Sequence, residues 1–242
     1  MTATATEPVL PFPLCTFANV QKLLSPPQTP FDPAGPYSAT YGIYTLANRP
    51  ARMGSLSLAR RVGELGRVAI DLRHRKRLTG GEARLNATLH LAADNRLSTP
   101  QRWQFNRRVI GEQSVVPGTQ LLKSATFAQG KIEIGAGRTT RRIAMPGPYT
   151  LNWALFDAVT RLPREQTEPI EFTLIDHFDQ VKPNHRLSFR ETVDATFSTK
   201  PITLHAYDHV GEGILPWVYY VDPAGRLLAA ISGLEGYLLE TE

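Results

Sequence analysis

The sequence predicts an all-β protein: a single antiparallel β-barrel built from a meander of strands, with one short inserted helix and a proline-rich N-terminal arm. Three observations carry this. Apolar and polar residues alternate with period two over much of the chain after Tyr37, as strands with one buried face require. Turn residues punctuate that alternation at the spacing of hairpins. At 242 residues and 42% hydrophobic content, the chain is long enough to bury a sizeable core as one large sandwich or barrel.

Residues 1–36 come first and hold Pro8, Pro11, Pro13, Pro26, Pro27, Pro30, Pro33 and Pro36 around one helix-compatible stretch, Phe17 to Leu24. Proline fixes φ and removes a donor, so the segment reads as an irregular arm. Its apolar residues, Val9, Leu10, Phe12, Leu14, Phe17, Leu23 and Leu24, predict that it packs on the body as a plug or strap over one barrel end.

The barrel domain is expected over 37–242. Leu56, Leu58, Arg60 and Val62 share one face of a first strand, and Val68, Ile70, Leu72 and His74 one face of the next. The pattern continues through Leu85 to Leu91 and through Trp103 and Phe105. Turns fall at Thr79 to Gly81, Ala93 to Asn95 and Ser98 to Pro100. A loop at Val116 to Thr119 leads to strands at Leu121 to Phe127, Lys131 to Ile134 and Arg138 to Ile143. The period then changes once: Leu155, Phe156, Val159 and Leu162 fall at helical spacing, and Pro163 stops the helix. Such an inserted amphipathic helix is expected to cap an open barrel end.

Strands follow at Ile170 to Ile175 and Leu187 to Phe197, joined by D-H-F-D-Q-V-K-P-N-H. In the second, Glu191 shares a face with Leu187, Phe189, Val193, Ala195 and Phe197. A carboxylate there needs a partner, such as an inward Arg60, or a ligand. Ile202 to Val210 is a further strand. Trp217 to Val221 and Arg226 to Ile231 flank D-P-A-G, where Pro223 and Gly225 suit a bulged hairpin turn. Leu234 to Leu239 closes the sheet and covers its edge.

Composition narrows the function classes. The net charge is +5, but the 27 basic residues are spread along the chain, which argues against a nucleic-acid partner. Cys15 is the only cysteine, so an internal disulfide and a cysteine-based zinc site are excluded. No window of 18 apolar residues predicts a membrane span. The opening T-A-T-A-T-E-P lacks a charged region and an apolar run, and looks like the start of a chain whose signal was removed. The expected location is periplasmic or otherwise exported if so, and cytoplasmic otherwise.

The densest group of reactive side chains is H-A-Y-D-H, residues 205–209. On a strand, His205, Tyr207 and His209 project from one face. His205 and His209 then lie roughly 13 Å apart, too far to share a metal ion. A divalent metal, the alternative to no cofactor, needs His177 or His185 with Asp176 or Asp179 beside His205. The acid and base candidates are His205, His209, Asp208 and Asp176, because histidine titrates near neutral pH. Glu191, Tyr207, Trp217, Tyr219 and Trp103 are the ligand-binding candidates, the aromatic rings suiting a pocket wall or a sugar face. No G-x-S-x-G and no phosphate-binding glycine loop is present.

The A-L-F-D-A-V-T-R-L-P helix between two sets of strands, ending in a W-V-Y-Y-V-D-P-A-G-R-L-L hairpin, resembles bacterial exported β-barrel proteins of unknown function, broadly lipocalin-like or open-barrel. That resemblance implies an antiparallel barrel in the envelope and supplies no catalytic residue. The leading expectation is a barrel that holds a small hydrophobic or amphiphilic ligand. The alternatives are an enzyme on the same scaffold acting on a carbohydrate or similar polar substrate, and a structural or interaction protein with a filled barrel. Oligomeric state is not legible.

Overall fold

The computed structural model describes residues 17, 21–24, 27, 29–45, 50–92, 96–111, 114–164, 168–197 and 200–241. Cys15, the turn at Ala93 to Asn95 and four prolines of the arm (Pro8, Pro11, Pro13 and Pro26) lie outside them.

Fifteen strands among the described residues form one sheet: β1 (Tyr37–Thr45), β2 (Ala51–Val62), β3 (Val68–Leu78), β4 (Gly81–Leu91), β5 (Pro100–Ile110), β6 (Leu121–Ala128), β7 (Lys131–Ala136), β8 (Thr139–Ala144), β9 (Tyr149–Leu151), β10 (Ile170–Asp176), β11 (Gln180–Phe197), β12 (Lys200–Val210), β13 (Trp217–Val221), β14 (Leu227–Ser232) and β15 (Glu235–Thr241). The ladder runs β8 to β1 in reverse sequence order, then β15 back to β9, so the two halves of the meander join where β1 pairs with β15. All neighbours are antiparallel except β9 and β10. The sheet is barrel-like, with β8 and β9 as its two edges and no backbone ladder between them. Side chains tie β9 to the start of β5 instead: the Tyr149 hydroxyl donates to the Pro100 carbonyl at 2.6 Å, and Thr99 Oγ1 donates to the Tyr149 carbonyl at 3.1 Å.

Period-two burial explains the curved wall. Leu56, Leu58, Ile70, Leu72, Leu89, Trp103 and Phe105 point inward and are buried, while their neighbours Arg73, Arg75, Gln104 and Arg102 on the other face remain in water. Each inward leucine or isoleucine contributes about 2 kcal/mol of burial. The D-P-A-G hairpin forms as its residues dictate. Asp222 Oδ1 accepts the amides of Ala224 and Arg226, and Gly225 takes φ +94 where a Cβ would meet the Thr160 carbonyl at 2.6 Å.

The helix lies at one barrel end. Helix α1 (Leu155–Ala158), continued by a 3-10 turn (Val159–Arg161), is buried except for the half-buried Arg161 and sits beside Ser98 and the D-P-A-G turn, with Phe156 turned inward. Phe156 meets the rings of Tyr41, Tyr219 and Tyr237 on three strands. The polar residue this buries, Asp157, is satisfied in full. It accepts from Tyr37 Oη at 2.8 Å and Ser98 Oγ at 2.6 Å, and it pairs with Arg60 at 3.2 Å and Arg161 at 2.6 Å.

The same network reaches the N-terminal segment, because Arg60 donates to the Gly35 carbonyl at 2.6 Å and Arg161 to the Pro33 carbonyl at 3.3 Å. Phe31 lies 5.2 Å from the Arg226 guanidinium. Farther along, Phe17 packs on the Tyr220 ring at 4.4 Å, so the segment also covers the outer face of β13. A 3-10 turn, Gln21–Leu23, occupies part of its helix-compatible stretch.

Two details of β10 and β11 depart from the sequence pattern. The joining loop is a tight turn, because His177 (φ 48) and Phe178 (φ 73) both adopt the left-handed conformation and β11 starts at Gln180. That costs roughly 1–2 kcal/mol per residue. It is offset because Phe178 is fully buried, stacks on Phe105 at 4.7 Å and accepts the Trp103 indole N–H at 3.2 Å. A bulge between Phe189 and Glu191 then switches the face of β11. Leu187 and Phe189 stay opposite the inward His209 and Tyr207, whereas Glu191 turns to the outer face opposite Ala206. Glu191 therefore never shares a face with Leu187, and it pairs with Arg190 at 3.0 Å, not with Arg60.

Candidate functional site

The mouth of the barrel, where the β10–β11, β12–β13 and β14–β15 turns gather, contains a cavity of about 510 Å³. Its size suits a drug-sized molecule. Five of its lining residues form a closed circuit of rings: Trp153 to Phe156 at 6.2 Å, Phe156 to Tyr219 at 6.0 Å, Tyr219 to Trp217 at 6.5 Å, Trp217 to Tyr237 at 5.7 Å and Tyr237 to Trp153 at 6.2 Å. Helix α1 and its approach supply two of these rings, and β13 and β15 supply three. Ring spacings of this kind are those of offset and edge-to-face contact.

Charges line the mouth in pairs. Lys76 Nζ lies 2.5 Å from Glu235 Oε2, and Lys182 Nζ lies 2.6 Å from Asp176 Oδ2 and donates to the Gly213 carbonyl at 2.8 Å. His177, whose side chain is 59% exposed, sits 3.9 Å from Asp176. Leu215 and Leu234 form an apolar, solvent-facing rim.

Deeper, His209 is 1% exposed, and its Nε2 lies 2.9 Å from Nδ1 of the equally buried His185. Phe172 covers both rings, and Gly211 is required beside them, since a Cβ there would fall 2.3 Å from His185 Nδ1. Burial, then the neighbouring His185, pushes the His209 pKa down to about 3, and burial also lowers His185. His74, 5.0 Å from the Trp153 ring and 3.4 Å from Tyr237 Oη, is brought down to about 4 by burial first and by Lys76 next. Both rings are neutral at physiological pH.

Of the residues picked out from sequence, His209, Asp176, Trp217, Tyr219 and His177 line this cavity. The others lie elsewhere. His205 is beside Phe189, where burial and then Arg164 lower its pKa, and it is absent from the cavity wall. Tyr207 is buried and donates to the Pro163 carbonyl at 3.1 Å. Asp208 faces outward and pairs with Arg190 at 3.3 Å. Trp103 holds the β10–β11 turn, and Glu191 is on the outer surface. His177 and His205 are thus not brought to one site, and among the described residues no three His, Cys, Asp or Glu side chains gather as metal ligands. Asn152, Trp153, Phe156, Tyr237, Lys76 and Glu235 were missed. Their signal was parity: Lys76 continues the inward face of Leu72 and His74, and Glu235 shares its face with Tyr237.

No protein-family model matches the sequence, and no curated protein matches it. Among solved structures, the chain is similar to a β-barrel-like protein of a domain of unknown function, DUF1849, from Brucella abortus. The two share 12% identity with a TM-score of 0.58 over 86% of this chain and 96% of that one. The likeness concerns the fold: a β-barrel-like, predominantly antiparallel sheet. Among the described residues no helix is long and apolar enough to cross a membrane.

Proposed function

We propose that this barrel binds a small amphiphilic molecule in the aromatic cavity at its mouth. The observation that carries the reading is a cluster of five contacting rings in the wall of about 510 Å³ of open space. A filled structural barrel would place side chains there, since protein interiors pack at the density of organic crystals. Ligand binding at the mouth is also the way a lipocalin-like barrel works. The reading needs no metal or cofactor, takes a small molecule as the partner, and places the protein in a bacterial envelope.

Acid and base catalysis on a polar substrate is less well supported. It needs a histidine poised near neutral pH, and burial keeps His209 far below that range. Two of the three tryptophans, Trp153 and Trp217, line the cavity and report on it. Octyl amphiphiles titrated below their micellar concentrations should change tryptophan fluorescence saturably, and Trp217→Phe should remove part of that change. No saturable response to any head group would reject ligand binding.

A further inference from the structure

Three buried polar atoms of the cavity residues have no hydrogen-bond partner among the described residues: Trp153 Nε1, Asn152 Oδ1 and His209 Nδ1. Trp153 and His209 are 6% and 1% exposed. Buried polar groups are nearly always satisfied, and leaving one unmade is costly. These three belong to residues that line one cavity, and each atom has almost no accessible surface of its own, so a bound molecule would complete them as the side chains turn toward it.

Their chemistry restricts that molecule. An indole N–H only donates, so it needs an acceptor, which an alkylammonium lacks. A carbonyl oxygen only accepts, so Asn152 Oδ1 needs a donor, which a carboxylate lacks. His209 Nδ1 accepts if Nε2 carries the proton shared with His185 and donates if it does not. Hydroxyl groups serve all three, because each both donates and accepts. The fixed charges agree. Lys76 with Glu235 and Lys182 with Asp176 are two cations already matched by two anions, so a charged head would sit unpaired or break a pair. The aromatic circuit alone would also suit a quaternary ammonium, but that group satisfies none of the three atoms that need a donor or acceptor of the right kind.

Building on the cavity reading above, we infer that the ligand is an uncharged amphiphile that enters head-first, its hydroxyl groups meeting Trp153, Asn152 and His209. Its chain then lies against the ring cluster and leaves past Ile214, Leu215 and Leu234.

The test compares three octyl compounds below their micellar concentrations by calorimetry: octyl β-glucoside, octanoate and octyltrimethylammonium. The glucoside should bind at least about tenfold more tightly than either ion. Trp153→Phe and His209→Phe keep an aromatic ring and each remove one hydrogen bond to the ligand, His209→Phe also losing the bond to His185, and should weaken the glucoside about tenfold. Their effect on the two ions should be smaller. Should one variant fail to fold, the other carries the comparison. An ion that binds as tightly as the glucoside overturns the inference, as do folded variants with unchanged glucoside affinity. Failure of all three compounds to bind rejects the cavity reading itself.

Discussion

Two polar clusters flank helix α1, and they treat buried polarity in opposite ways. On one side Asp157 collects Arg60, Arg161, Tyr37 and Ser98, and both of its oxygens are engaged, with Arg60 Nε held as an ion pair at 3.2 Å rather than by a hydrogen bond. On the other, Trp153, Asn152 and His209 keep polar atoms without partners around open space. A satisfied cluster specifies how pieces of chain meet; here it fixes β1, β2, the loop before β5, the helix and the N-terminal segment at one point. An unsatisfied cluster adds nothing to the fold and stays available to something that binds.

The largest effect should come from cutting the satisfied cluster. Asp157→Ala strands two buried guanidinium groups and should cost about 3–5 kcal/mol, read as a fall in urea midpoint. Trp153→Phe, across the helix, should cost less than about 1 kcal/mol. Equal losses would erase the distinction between the two sides.

Acid probes the cavity side next. His209 and His74 have folded pKa values lowered to about 3 and about 4 from an ordinary 6.5, chiefly by burial. Between those values the unfolded chain binds protons that the folded chain refuses, so stability is complete above about pH 6.5 and falls as pH drops. From His209 alone the loss should be on the order of 3 kcal/mol by pH 4. His209→Phe should flatten the pH dependence of the urea midpoint in that interval, and an unchanged slope would show that the ring is not desolvated. The smallest effect belongs to Glu191→Ala. With its carboxylate on the outer surface, both the melting temperature and any ligand affinity should stay within about 0.5 kcal/mol of the parent.

Glu191 also shows where sequence reading stops. Alternation located nearly every strand, and D-P-A-G located the β13–β14 hairpin, because burial parity and turn chemistry are local. A single bulge inside β11 leaves no local mark, yet it moves everything beyond it to the other face. The cavity was half legible for a related reason. His209, Trp217 and Tyr219 sit on neighbouring strands and announce one another. Trp153 and Phe156 reach the same space from the helix at the other barrel end and the turn before it, which strand alternation does not place.

The junction of β1 with β15 has a kinetic consequence. Every other antiparallel ladder joins strands adjacent in sequence, so hairpins can assemble locally and early. The pairing of Thr40 with Thr241 through Thr45 with Glu235 waits for the two ends of the meander to meet, at the entropic cost of closing almost the whole chain. Pulse-labelled hydrogen exchange during refolding should find the amides shared by β1 and β15 protected after those of the β3–β4 hairpin. Until that encounter Tyr41 and Tyr237 lie on separate halves, so the pocket around Phe156 is among the last parts of the molecule to exist.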